Sequence, residues 1–462
     1  MRAAANASRR FLAVATGCLT LCVDSALAHA GSFGAVSRTA SVPSWLVVAA
    51  GAGLVGASFL FTSLLTDRTL IEGVSRRRRT LRVIAPLDRI IPIALTIVRW
   101  AAVAALVLLV AVGVVGPATA SANALTLGVW IVWWAGYTST TYLLGNTWPA
   151  LNPWRTLASL GRSERRSLPP WLGSWPSVVG LLGLVALEVL SPLAADPRLL
   201  AVAIAGYSLV TVPGAIVFGD AWFDRVDPIA RTFRLYGRLA PVQRSDQGVT
   251  LVLPGAALAR DAEVADTADV AFVVALVWAT TFDGLVSTSA WQQIVTATPG
   301  NGGLAGPLTL AALVTGFACF VGGYRLAARA VRRTAPTYVT ARYLAGWFTP
   351  ALVPIAAGYH FAHFAGYLVG YVPTVVAVFA NPLGPPASLT VLSLPGWFGA
   401  VQVVAVVVGH VVAIWIAHVR AFGLFAGRVQ PVRSQYPVAA VAICYTVTSL
   451  WIVAQPTAAG IS

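Results

Sequence analysis

Residues 44–79 read SWLVVAAGAGLVGASFLFTSLLTDRTLIEGVSRRRR, and this one stretch carries both signals that decide the fold. It opens with an apolar run reaching to about Thr66. As a helix rising ~1.5 Å per residue, that run is long enough to cross the ~30 Å of hydrocarbon in a bilayer. It ends in Arg76, Arg77, Arg78 and Arg79, a cluster of the kind retained at the cytoplasmic membrane surface.

The same alternation continues along the chain. Further apolar runs lie at about 90–116, 122–145, 176–195, 198–220, 269–291, 304–327, 344–372, 396–419 and 437–455. The arginines fall between them in every second loop. After the third run come Arg155, Arg162, Arg165 and Arg166; after the fifth, Arg225, Arg231, Arg234, Arg238 and Arg244. Arg332 and Arg333 follow the seventh, and Arg428 and Arg433 the ninth. The loops after the second, fourth, sixth and eighth runs are almost uncharged. Ten crossings satisfy the positive-inside rule, with the mature N-terminus and the C-terminus both outside the cell membrane; a miscount of one would put arginines on both faces.

Composition agrees. Hydrophobic residues make up 58% of the 462, only 10% are charged, and the net charge is +15. A water-soluble domain with so few charges would expose large apolar patches and aggregate, whereas a lipid bilayer solvates them. The basic residues sit in short clusters at membrane exits, and no aromatic-interleaved basic domain suited to nucleic acid appears. Cys18, Cys22, Cys319 and Cys444 show neither zinc-site spacing nor a disulfide framework. The expected fold is therefore an all-α, polytopic transmembrane bundle of about ten helices.

A cleavable signal peptide is expected over residues 1–28. Arg2, Arg9 and Arg10 precede a short apolar run from Phe11 to Val23, and Ala26-Leu27-Ala28 supplies the small residues of a cleavage site. Ser8-Arg9-Arg10-Phe11-Leu12 also looks like a twin-arginine export signal. Residues 29–462 then form a single transmembrane domain. Cleavage after Ala28 would expose His29 as the first residue, whose free amine and imidazole make a two-nitrogen donor set for Cu(II); the plainer reading leaves His29 an ordinary residue. One sizeable inner loop, about 221–268, begins with Trp222 to Leu239, which reads as an amphipathic helix lying among the headgroups. The segment Asn146 to Arg155 brackets a membrane exit with two asparagines and two prolines and reads as a tight or re-entrant turn.

Function is sought among polar groups that are expensive in hydrocarbon. A charge at the bilayer centre costs ~3 kcal/mol or more and must find a partner. Arg99, Glu188 and Asp283 lie within apolar runs, and their helical depths allow an ion pair of Arg99 with one or both carboxylates. Such a pair either fixes packing or relays a proton or substrate. Four histidines fall in the eighth and ninth runs: His360, His363, His410 and His418. The first two, three residues apart, share a helical face. Imidazole binds copper, zinc and haem iron and titrates near neutral pH. His360, His363 and His410 are thus candidate ligands of a transition metal or haem. The alternative is hydrogen bonding between helices, worth under ~2 kcal/mol.

Several segments resemble a multipass membrane family of high-GC prokaryotes. They are Asn152-Pro153-Trp154-Arg155, Phe282-Asp283-Gly284, Ala362-His363-Phe364, Asn381-Pro382-Leu383-Gly384 and Gly409-His410, with Ala417-His418-Val419-Arg420-Ala421, Gln435-Tyr436-Pro437 and Tyr445-Thr446-Val447. Many members of that family are labelled fenitrothion hydrolases by similarity, which implies cleavage of an organophosphorus ester. The resemblance singles out His363, His410, His418 and Asp283; His360 is an addition in this chain. Phosphotriester hydrolysis calls for metal-activated water in a dry cavity. The sequence has no Gly-x-Ser-x-Gly elbow and no loop with paired carboxylates and histidines. A catalytic centre would have to use the intramembrane groups His363, Asp283 and Glu188. Three functions stand open: binding or moving a small solute, proton or metal ion; metal-dependent ester hydrolysis; and copper or haem handling.

Overall fold

Runs of Ala, Leu, Val and Gly with few charges leave the backbone no partner in lipid except itself, so they form helices. The computed structural model describes residues 43–81, 87–161, 166–245, 248–260, 263–297 and 304–455. The signal segment, His29, Arg162 and Arg165 lie outside these.

Ten helical segments occupy the ten expected places: α1 (Ser44–Ser63), α2 (Leu87–Val115), α3 (residues 124–143), α4 (Trp175–Leu190), α5 (Pro197–Phe218), α6 (Thr267–Val286), α7 (Ala305–Thr334), α8 (Val353–Gly370), α9 (Phe398–Leu424) and α10 (Val429–Ala454). Among the described residues, eight helices are long and apolar enough to cross a membrane, α8 being counted with the Ala341–Phe348 turns that lead into it. The other two segments are α4, which is shorter, and α3, in which residues Gly128–Tyr137 wind as a π-helix between α-helical ends. The protein is an all-α multipass membrane bundle.

Neighbours in sequence are not always neighbours in space. α1 lies against α9 and α10, whereas α2 packs on α5 and α3. α6 is the most enclosed of the eight long helices, with α4, α7 and α8 around it. α8 and α9 make the closest pair. A Cβ added to Gly409 would lie 2.5 Å from the Pro354 carbonyl oxygen, and one on Gly358 would lie 2.6 Å from that of Ala405. Small residues let helices approach in this way where no hydrophobic force distinguishes a helix from lipid.

The arginine-bearing loops are bonded to one another and so lie on one face. A small antiparallel sheet of order β1-β3-β2 joins β1 (Arg78–Leu81), after α1, to β2 (Val242–Ser245) and β3 (Gly248–Val252), after α5. Val242 N–H donates to the Leu144 carbonyl at the end of α3 (3.0 Å). Arg155 pairs with Asp220. Arg68 donates to the carbonyls of Phe422, Phe425 and Gly427 beyond α9. Gln430 donates to the Pro336 carbonyl beyond α7 (2.7 Å). Arg420, fully buried, donates to the carbonyls of Trp347, Leu258 and Glu263 and lies over the Trp347 ring. On the opposite face, Ala124 and Leu125, Leu193 and Ala194, and Tyr371 and Val378 share one apolar cluster, which joins the weakly charged loops.

The inner loop differs from its sequence reading. Its amphipathic segment breaks into two helices at Val226 and Asp227, where the Asp227 carboxylate caps the second one, Pro228–Gly237. That helix buries Phe233 and Tyr236 completely against the bundle instead of among headgroups. Burial of Arg231 lowers its pKa, opposed by the carboxylate of Asp269, with which it pairs. Burial pushes the Asp227 carboxyl up, opposed by hydrogen bonding from Tyr207 and the backbone.

Two outcomes follow. Cysteines replacing Thr80 and Thr250, which face each other across the sheet, should oxidise to an internal disulfide, seen as a gel shift; failure under copper-phenanthroline would argue against the paired loops. Because the folded Asp227 holds its proton more tightly than the unfolded chain does, its contribution to stability declines as pH rises from the ordinary 3.8 through the raised value. Asp227→Asn keeps the cap and removes that slope, so melting curves of wild type and variant in detergent should diverge with increasing pH.

Candidate intramembrane polar site

The polar centre is built on one turn of α8. Residues three apart are offset by about 60° around a helix, so His360 and His363 share a broad face yet meet different neighbours.

His363 meets α6. Its Nε2 lies 3.3 Å from Asp283 Oδ2, and both side chains retain slight exposure, 14% and 13%. Asp283 is three residues from the end of α6 that follows its passage from the arginine-bearing side, so the pair lies toward the opposite face. The Tyr359 ring is parallel to the His363 imidazole at 6.3 Å, and Tyr367 lies on its other side at 6.2 Å. The glycine after Asp283 makes room for this arrangement, since a Cβ on Gly284 would stand 1.8 Å from the Tyr359 hydroxyl.

His360 meets α3. Its Nδ1 lies 3.0 Å from the Tyr142 hydroxyl, which is 2.9 Å from Ser139 Oγ. The imidazole is wholly buried among the rings of Trp134, Tyr142, Tyr236 and Phe364.

The remaining candidates lie apart. His410 donates from Nδ1 to the carbonyl of Val406 in its own helix (2.8 Å). His418 links three helices near the arginine-bearing face, with Nε2 on the Leu65 carbonyl (2.9 Å) and Nδ1 beside Gln435 Oε1 (3.1 Å). Among the described residues, no three His, Cys, Asp or Glu side chains gather as a metal-holding set. His360, His363 and His410 each have a separate hydrogen-bonding or ionic partner: Tyr142, Asp283 and the Val406 carbonyl. Arg99 is exposed on α2 and forms no ion pair with Glu188 or Asp283. α2 packs away from α6, and the partner of Asp283 is His363. Glu188 is half-buried on α4, which runs along α6.

Sequence reading missed Tyr142, Ser139 and Tyr236. The polar run Thr138-Ser139-Thr140-Thr141-Tyr142 inside an apolar span was the available signal. It also passed over Gln402, which donates to the Ala362 carbonyl (2.7 Å) and fixes the middle of α8.

No family model, no curated protein and no solved structure matches this chain. What the side chains define is a class: a multipass membrane bundle with buried histidines and a further, slightly exposed histidine in contact with a carboxylate.

Gly284→Ala should lower the melting temperature in detergent by an amount equivalent to ~1–3 kcal/mol of overpacking, and adding Tyr359→Phe should recover part of the loss. Full stability in the single variant would show that the close approach is not required.

Proposed function

We propose that this chain is a plasma-membrane protein that handles protons, binding and releasing one at His363–Asp283 as it moves a proton or a small solute across the bilayer. The observation that carries this reading is the 3.3 Å contact between an imidazole and a carboxylate inside the bundle. Ionisable groups within spans are costly and are kept where protons, ions or substrates travel. A histidine and an aspartate in contact exchange a proton with little change in geometry, and the pair as a whole alternates between singly negative and neutral. Its slight exposure gives water or solute access from one side. Tyr359 and Tyr367 flank the imidazole. The arginine-bearing face is cytoplasmic in this reading, and both termini are outside.

Purified protein reconstituted in liposomes loaded with a pH-sensitive dye should dissipate an imposed pH step. His363→Ala and Asp283→Asn should each slow that dissipation by about a hundredfold, the scale of a positioned acid–base group. Wild-type rates equal to those of empty liposomes, with and without candidate solutes, would rule the reading out.

The family resemblance supports a second reading that draws on the same pair. His363, oriented by Asp283, would act as a general base toward water attacking an organophosphorus ester dissolved in the membrane. Nitrophenol released from fenitrothion by wild type and not by His363→Ala would favour it; no release with divalent metal supplied would count against it.

A further inference from the structure

The hydrogen bonds around His360 fix which of its nitrogens carries the hydrogen. The chain begins at the Ala135 carbonyl, which can only accept. Ser139 Oγ, 2.7 Å away, must spend its single hydrogen there. Tyr142, 2.9 Å from Ser139, must then donate to it. The Tyr142 oxygen is left as an acceptor, and the group 3.0 Å from it is His360 Nδ1. Neutral His360 therefore bears its hydrogen on Nδ1, leaving the lone pair on Nε2. That Nε2 is buried and no donor reaches it. By contrast, His363 Nε2 faces a carboxylate oxygen, so it holds the hydrogen. The two histidines of α8 are opposite tautomers.

From this arrangement we infer that His360 is a second proton-binding station, taking a proton on Nε2 on the arginine-bearing side of the His363–Asp283 pair. This rests on the proton-handling reading and gives its path an inner half. In the step itself, a proton adds to the Nε2 lone pair. The proton comes from a hydronium ion: one O–H bond breaks, leaving water, as one N–H bond forms, and the imidazolium keeps its Nδ1–H on Tyr142. When the proton moves on through water, the Nε2–H bond breaks, and one O–H or N–H bond forms at Asp283 or His363. Everything packed around the ring is uncharged: Trp134 and Tyr142 from α3, Tyr236 from the inner helix and Phe364 from α8. Phe364 separates the stations, its ring 4.9 Å from that of His360 and 4.7 Å from that of His363. The π-helical turns of α3 carry Trp134 and Ala135, and such turns displace carbonyls from the regular ladder, often at functional sites.

The test is solid-state nitrogen NMR of protein labelled at histidine in lipid bilayers, with the His360 signals assigned from His360→Gln. At pH 7.5 wild-type His360 should show a protonated Nδ1 and a bare Nε2. Ser139→Ala frees the Tyr142 hydrogen for Nδ1 and should move the His360 hydrogen to Nε2. Wild-type protein with the hydrogen on Nε2 would overturn the inference on its own, whether or not the variant folds. In liposomes, His360→Phe should slow proton movement about a hundredfold. If wild type moves protons and His360→Phe does so equally well, the inner station is refuted and the outer pair stands. If wild type moves none, the proton-handling reading falls, and the inner station with it.

Discussion

Where α8 crosses α9, Gly358 and Gly409 bring two backbones together, and a methyl group on either would run into a carbonyl oxygen of the other helix. In water such a contact would be reinforced by expelling solvent from apolar side chains. In lipid that reinforcement is missing, and close packing of small residues supplies the attraction. The crossing holds α8 against α9 on its glycine side. Its histidines are left to face α3 and α6, and Gln402 from α9 secures the helix between them through the Ala362 carbonyl.

With α8 held there, the polar groups sort by cost. The histidines and Asp283 turn inward and find partners on neighbouring helices. Most arginines remain in the loops of one face, where they act as ties. Arg68 and Arg420 each gather several backbone carbonyls from distant parts of the chain. Arg420 is the more demanding of the two, because a buried guanidinium is tolerable only when its donors are met. Charge thus appears on this side as crosslinking between loops, and within the bundle as a carboxylate–imidazole contact.

The two histidines of α8 illustrate how neighbours determine chemistry. Both are imidazoles on the same helix, one turn apart. The partner of His363 is a carboxylate in a slightly open site. His360 is closed in by aromatic rings, at the end of a hydroxyl chain that runs through Tyr142 to Ser139. Phe364 stands between them, and a proton passing from one to the other would have to go round an apolar ring.

By itself the sequence located the ten helical segments and the arginine-bearing loops that alternate between them. Hydropathy is a local property of some twenty consecutive residues, and the arginine clusters mark exits independently of how the helices pack. It also marked His363 and Asp283, since ionisable residues in apolar runs stand out wherever they occur. Partnership was not legible. The depths of Arg99, Glu188 and Asp283 allowed a pair that only lateral position could grant, and α2 packs beside α3 and α5, away from α6. The depths of His360, His363 and His410 likewise allowed a common centre, but depth gives one coordinate of three; rotation about each helix axis and the order of helices around the bundle supply the others. The amphipathic pattern of the inner loop was read correctly as one-sided, while the surface it covers turned out to be protein. Tertiary packing decided these points because a helix in lipid can turn any face inward until a close contact, such as that between Gly358 and Gly409, fixes which one.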